Sequence, residues 1–122
     1  MKILLDTSFI LTCLKEGIDF LEAENFGKLV LPSEVINELE KLKENKKGEE
    51  KLRAELALDI IGKTKDSFEI INLNSGHVDS GIINFVKNRK IIVATMDKEL
   101  KKKLKNKVRV LSIRARKKLE LS

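Results

Sequence analysis

Four carboxylates, Asp6, Glu38, Asp79 and Asp97, stand at positions where carboxylates are unusual. Asp6 directly follows the apolar run Ile3-Leu4-Leu5, and Asp97 follows the run Ile91–Ala94 with only Thr95 and Met96 between. Glu38 lies three residues after Val35 and four before Leu42, and Asp79 lies four before Ile83 and seven before Val86. Each of these two therefore shares or borders the apolar stripe of a helix, although acidic residues are almost never fully buried unless paired. Taken singly, each has an ordinary reading. Asp6 and Asp97 can cap the helices that follow them, and Glu38 and Asp79 can sit at a helix boundary or pair with one of the many lysines. If the four converge, their mutual repulsion raises some of their pKa values. A divalent cation such as Mg²⁺ or Mn²⁺, which suits carboxylate and water ligands, removes that cost. Such a site can hydrolyse a phosphodiester by polarising the phosphoryl oxygen, lowering the pKa of a bound water and stabilising the leaving oxygen. It needs neither an imidazole nor a nucleophilic side chain, and the sequence has one histidine, His77, and one cysteine, Cys13.

The elements that must position these acids alternate along the chain. Lys2–Leu5, Lys28–Leu31, Phe68–Ile71, Ile91–Ala94 and Val108–Ile113 read as strands, the fourth apolar on both faces as a central parallel strand is. Helices are predicted from Thr7 or Ser8 to Leu14, with a further turn or two over Ile18–Glu24. Others follow from Glu34 to Glu44 with Ser33 as N-cap, over residues 49–61 with Leu52, Leu56 and Ile60 along one face, over His77–Asn88, and over Lys98–Lys105. A basic tail closes the chain. The order β-α-β-α-α-β-α-β-α-β predicts a three-layer α/β/α fold, Rossmann-like, around a central parallel sheet of about five strands. In open sheets of this kind ligands bind beyond the carboxyl ends of the strands, where Asp6 and Asp97 fall.

At 122 residues the chain is expected to form one domain, 1–122. No apolar run approaches the ~18 residues of a membrane span, and the N-terminus meets a charge after three apolar residues, unlike a signal peptide. One cysteine and one histidine exclude a disulfide framework and any Cys- or multi-His zinc site, and the expected compartment is a reducing cytoplasm. The net charge of +6 is unevenly placed: residues 98–118 hold eleven Lys or Arg and one acid, Glu99. A basic segment on an acidic-leaning body suits a polyanionic partner, and also suits a solvated face that keeps the protein soluble. Lys98, Lys101, Lys102 and Lys105 begin right after Asp97 and are expected near the crevice rim, with Arg114, Arg116, Lys117 and Lys118 extending the patch. Such contacts position phosphates without reading sequence. The basic segment has no aromatic residue, which argues against binding by base stacking. His77 is expected to be an exposed helix-start residue, and Cys13 and the phenylalanines to be core.

The residues around these acids resemble those of a known family. Asp6-Thr7-Ser8-Phe9-Ile10 after an apolar strand looks like the opening of PIN-domain ribonucleases. Leu31 to Leu42, a strand end, proline and helix carrying Glu38, is similar to their second motif. The 18-residue separation of Asp79 and Asp97 resembles that of the family's third and fourth acids, and Val93-Ala94-Thr95-Met96-Asp97-Lys98-Glu99-Leu100-Lys101 matches the fourth motif. The resemblance implies a PIN-like fold, with Asp6, Glu38, Asp79 and Asp97 as metal-binding and catalytic residues, Mg²⁺ or Mn²⁺ as cofactor, and Ser8 and Thr95 as supporting hydroxyls. It implies an endoribonuclease acting on structured RNA, a ribosomal precursor or a tRNA. The segments from Asp97 onward look like the archaeal relatives of the small-subunit ribosomal RNA processing nucleases, some of which carry the label of VapC-type toxins. Ribosomal RNA processing, with ribosome-assembly factors as partners, is therefore expected. The alternatives are a VapC-type toxin with an antitoxin, and an inactive PIN-fold RNA-binding module. The family often pairs into homodimers. Position 8 is Ser where Asn is more usual, and position 80 is Ser where this branch often has a second acid.

Other acid-pocket classes fit less well. A receiver domain needs a pair of acids after its first strand, an aspartyl-phosphate hydrolase a second Asp at position 8, and a P-loop the full glycine-rich run Gly-x-x-x-x-Gly-Lys-Ser/Thr. The chain has none of these.

Overall fold

The computed structural model describes residues 1–122, apart from the side chain of Arg116. Six strands, β1 (Lys2–Leu5), β2 (Lys28–Pro32), β3 (Phe68–Ile71), β4 (Ile91–Ala94), β5 (Arg109–Arg114) and β6 (Lys118–Leu121), form one sheet in the order β3-β2-β1-β4-β5-β6. The first five run parallel, and β6 turns back antiparallel on β5. Five α-helices connect them: α1 (Thr7–Glu16), α2 (Ser33–Asn45), α3 (Gly48–Lys63), α4 (Val78–Val86) and α5 (Lys98–Leu104), with 3-10 turns at Phe20–Phe26, Lys65–Ser67 and Ala115–Lys117.

Alternation along the strands divides the core. Ile3 and Leu5 of β1, Ile92 and Ala94 of β4 and Leu111 of β5 pack on one face with Phe9, Ile10 and Cys13 of α1, Val35 and Leu39 of α2, and Ala57 and Ile61 of α3. Leu4, Ile91, Val93 and Val110 face the other way onto Ile82 and Val86 of α4 and Leu100 and Leu104 of α5. The three-layer parallel architecture expected from the sequence is thus the one adopted. Gly27, at φ 156°, lets the chain enter β2 where a Cβ would stand 2.4 Å from the Met1 carbonyl oxygen.

Three expectations need correction. Leu52 and Leu56 are 63% and 48% exposed, and α3 buries Ala54, Ala57 and Ile61 instead. The alanines let α3 lie close against α1 and α2, and the bulkier leucines would hold the helices apart. The basic tail is not irregular: Lys118-Leu119-Glu120-Leu121 alternates exposed and half-buried positions as a sixth strand. Ser33 is the first residue of α2 rather than its cap; Pro32 holds the cap position, and the Ser33 hydroxyl turns to Glu34.

Candidate active site

The sheet order reverses between β1 and β4, from which successive strands are laid down in opposite directions. Crevices at such switch points are where open α/β sheets take ligands. Asp6 and Asp97 both lie at this point. Asp6 occupies the cap position of α1, yet its side chain makes no capping bond. Instead its Oδ2 accepts the Thr95 hydroxyl at 2.7 Å and the Ser8 hydroxyl at 2.8 Å. Each hydroxyl has one proton, so both protons point at Asp6, and the 3.1 Å approach between Ser8 Oγ and Thr95 Oγ1 is a contact of lone-pair sides. Those lone pairs are used: Thr95 Oγ1 accepts the Asp97 amide at 3.1 Å and Ser8 Oγ the Met96 amide at 3.0 Å. The circuit ties the turn after β4 to the end of β1. With a serine hydroxyl at position 8, both of these bonds are made.

Asp97 is a true cap. Its Oδ1 accepts the amides of Glu99 and Leu100 at 2.9 and 3.2 Å. Capping and membership of the crevice are therefore compatible for Asp97, whereas Asp6 does not cap. Glu38 is half-buried on α2, where Thr7 donates its hydroxyl to Oε1. Asp79 is half-buried in the first turn of α4. Among the described residues neither Glu38 nor Asp79 has a salt-bridge partner, so pairing with a lysine does not explain them.

The electrostatics show the convergence. Burial pushes the Asp6 carboxyl above its ordinary range, against the pull of the Thr95 and Ser8 hydroxyls, and the charge of Asp97 adds to the rise. Burial also raises Glu38; the Thr7 hydroxyl opposes this, while Asp6 and Asp79 reinforce it. Asp79 is raised by burial, then by Asp97 and Asp6, with Lys103 in partial opposition. Asp6, Glu38 and Asp79 are thus each raised in part by another acid of the set, at one end of the sheet. Glu38, Asp79 and Asp97 line an open cavity of about 810 Å³ together with Glu34, Asn37, Lys41, Ser75, Gly76, His77, Val78 and Ser80, and Asp6 lies buried beyond that lining. Among the described residues no three carboxylate, imidazole or thiolate groups stand close enough together to grip a metal ion as they are. Asp6, Glu38 and Asp97 each have one oxygen engaged by the local donors named above.

Residues 3–116 match the family model described as a PIN-like domain. The chain belongs to the PIN-domain ribonuclease family. Ribonuclease VapC4 of Methanocaldococcus jannaschii is 36% identical over 129 residues, an alignment covering 98% of this chain and 95% of the relative. Among solved structures, that of the PIN domain endonuclease Utp24 superposes with a TM-score of 0.79 at 27% identity, covering 99% of this chain and 90% of that one.

Several residues of this PIN domain's cavity escaped the sequence reading. Glu34, Asn37 and Lys41 flank Glu38 along one face of α2, and the spacing i, i+3, i+4, i+7 was the signal that could have found them. Glu34 accepts the Leu73 amide at 3.0 Å. Burial would raise its carboxyl, but the amides of Leu73 and Ser75 hold it below the usual range, so it anchors the loop before α4. Gly81 permits that loop's close approach, since a Cβ there would stand 2.9 Å from Ser75 Cβ. His77 is exposed at the mouth of the cavity. Of the basic residues, Lys101, Lys102, Lys105 and Arg114 line a separate cavity beside α5 and β5. Lys98 is exposed directly after Asp97, and Lys117 and Lys118 are exposed at the turn into β6. The side chain of Arg116 lies outside what the structure describes.

Proposed function

We propose that the chain is a metal-assisted endoribonuclease whose centre is formed by Asp6, Glu38, Asp79 and Asp97. The observation that carries this reading is the gathering of acids at the strand switch point: Glu38, Asp79 and Asp97 line one cavity, and buried Asp6, directly after β1, is tied by Thr95 to the turn that carries Asp97. A protein that places unpaired, partly buried acids together does so at a cost in stability, and such clusters mark functional sites. The donor set is all oxygen, which suits Mg²⁺ or Mn²⁺ in kind. Those ions, when bound by the four acids, supply phosphoryl polarisation and a water of lowered pKa.

The chain's own groups do the rest. Two hydroxyl donors fix the direction of the Asp6 carboxyl. Glu38, with Oε1 held by the Thr7 hydroxyl and Oε2 outside that bond, is placed to accept a proton from the attacking water. Attack in line at phosphorus breaks the bond to the 3′ oxygen and leaves a 5′-phosphate and a 3′-hydroxyl. Lys41, Asn37 and Ser80 border the space where the phosphodiester sits.

The likeness to small-subunit ribosomal RNA processing nucleases supports ribosomal precursor RNA as substrate. The relative named VapC4 favours a second reading, a toxin held by an antitoxin. The centre itself is tested by titrating Mn²⁺ into wild type and an Asp6→Asn, Asp97→Asn variant, with calorimetry for binding and a structured RNA for cleavage. Binding and cleavage in wild type, both lost in the variant, are expected. Retention of RNA with neither metal binding nor cleavage in wild type would leave an RNA-binding module.

A further inference from the structure

A second cavity, of about 450 Å³, lies between α5 and the outer strands of the sheet. The helical layer of α4 and α5 packs over β1, β4 and Val110 of β5, and on this face Lys118 and Glu120 of β6 are exposed. Val108, Val110, Ser112 and Arg114, alternate residues of one strand face, form its floor, and Lys101, Lys102 and Lys105 its helical wall. Lys118 pairs directly with Arg114 across the β5–β6 ladder, so it shares this face. The charge here is poorly compensated. Lys102 meets Glu99 at 3.9 Å and Arg114 meets Glu120 at 3.8 Å, both long contacts between exposed groups. Among the described residues Lys101 and Lys105 have no ion-pair partner, while Arg109 donates its Nε–H to the Ser122 main-chain oxygen at 3.0 Å.

Lys101 is half-buried. Its ammonium is held below the usual lysine range, first by burial, then by Arg114 and Lys98. Cations that outnumber the acids beside them, Glu99 and Glu120, favour an anion. The groove is separate from the acid cavity but shares α5 with it: Asp97 caps the helix, and Lys101 of the groove wall follows four residues on, about 6 Å along the axis.

We propose that this groove holds the RNA flanking the cleaved bond by its phosphodiester backbone, without reading its bases. The proposal rests on the ribonuclease reading. A polyanion is favoured because the lining offers five cationic side chains and no Asp or Glu, and the neighbouring Glu99 and Glu120 reach only two of the five. Backbone contact is favoured because no aromatic side chain lines the groove, which removes the usual means of stacking bases. The groove thus extends the substrate track past the acid cavity along α5 and β5.

The test compares wild type, Lys101→Gln/Arg114→Gln and the control Lys15→Gln/Lys65→Gln, which removes two exposed charges away from the groove. A structured RNA is bound and cleaved across a series of KCl concentrations. Each lost phosphate contact lowers the slope of log affinity against log salt by about 0.7–0.9, so the groove variant is expected to lose about 1.4–1.8. Its KM should rise several-fold with kcat unchanged, and its Mn²⁺ isotherm should match wild type. Melting curves check folding, and Lys105→Gln/Arg109→Gln gives a second pair. A slope equal to the control's, or a fall in kcat at constant KM, would overturn the proposal. So would RNA affinity that is unchanged while an acidic polypeptide loses binding. Absence of cleavage by wild type, with the slope still reduced in the variant, would remove the nuclease reading and support the groove.

Discussion

The Thr95 hydroxyl donates to Asp6 Oδ2 at 2.7 Å across 89 residues of sequence, and the same oxygen atom of Thr95 receives the Asp97 amide. One side chain thus fixes two of the four acids. Replacing Thr95 with valine keeps the shape and deletes both roles. Leaving a buried carboxylate short of a donor costs about 1–3 kcal/mol. Thr95→Val should lower the melting temperature by several degrees and cleavage by about tenfold or more, whereas Thr95→Ser restores both. Equal activity of the valine variant would show that the circuit does not orient the acids.

The raised carboxyls of Glu38 and Asp79 set the direction of pH dependence. A folded-state pKa above the unfolded value means the folded protein holds protons that the unfolded chain releases. Stability contributed by these groups is present below the unfolded pKa and falls as pH rises through the raised folded values. In chelator, Asp79→Asn and Glu38→Gln should therefore melt about 2–4 °C above wild type at pH 7 and converge with it near pH 4. Thermal denaturation across that range measures this; variants that melt below wild type at pH 7 would contradict the electrostatic reading. Both should lose cleavage by about 100-fold or more.

The Cys13 thiol is fully buried, and burial, with Asp19 and Glu22 nearby, pushes it up to about 12. Thiolate is the reactive form. Alkylation by iodoacetamide at pH 8 should be negligible in the native protein and rapid in denaturant. Native labelling at the rate of a free thiol would show that α1 opens.

Gly27→Ala puts a methyl group 2.4 Å from the Met1 carbonyl oxygen at a positive φ. Backbone must move, and Met1 is the partner of the Lys28 amide. A loss of more than about 1 kcal/mol is expected, read by urea denaturation, with the metal isotherm unchanged in the folded fraction.

Much of this was legible in residue order because strand and helix periods alternate and because Asp6 and Asp97 directly follow apolar runs. Glu38 and Asp79 were legible as acids on apolar stripes. What was hidden depended on partners far along the chain. Leu52 and Leu56 look like a core stripe until small residues at 54 and 57 are seen to face α1 and α2. The Lys118–Leu121 alternation was masked by the basic run Arg114–Lys118 that leads into it. Glu34 and Lys41 gained meaning only when α4 and its preceding loop came to lie opposite α2.

The placement of β4 between β1 and β5 has a consequence for synthesis. Chains emerge at about 5–20 residues per second, and the sheet can close only when a late strand slots in beside the first. Asp97 reaches its neighbours with that insertion and not before. A change that prevents this closure therefore separates Asp97 from Asp6 altogether rather than weakening one acid of the set.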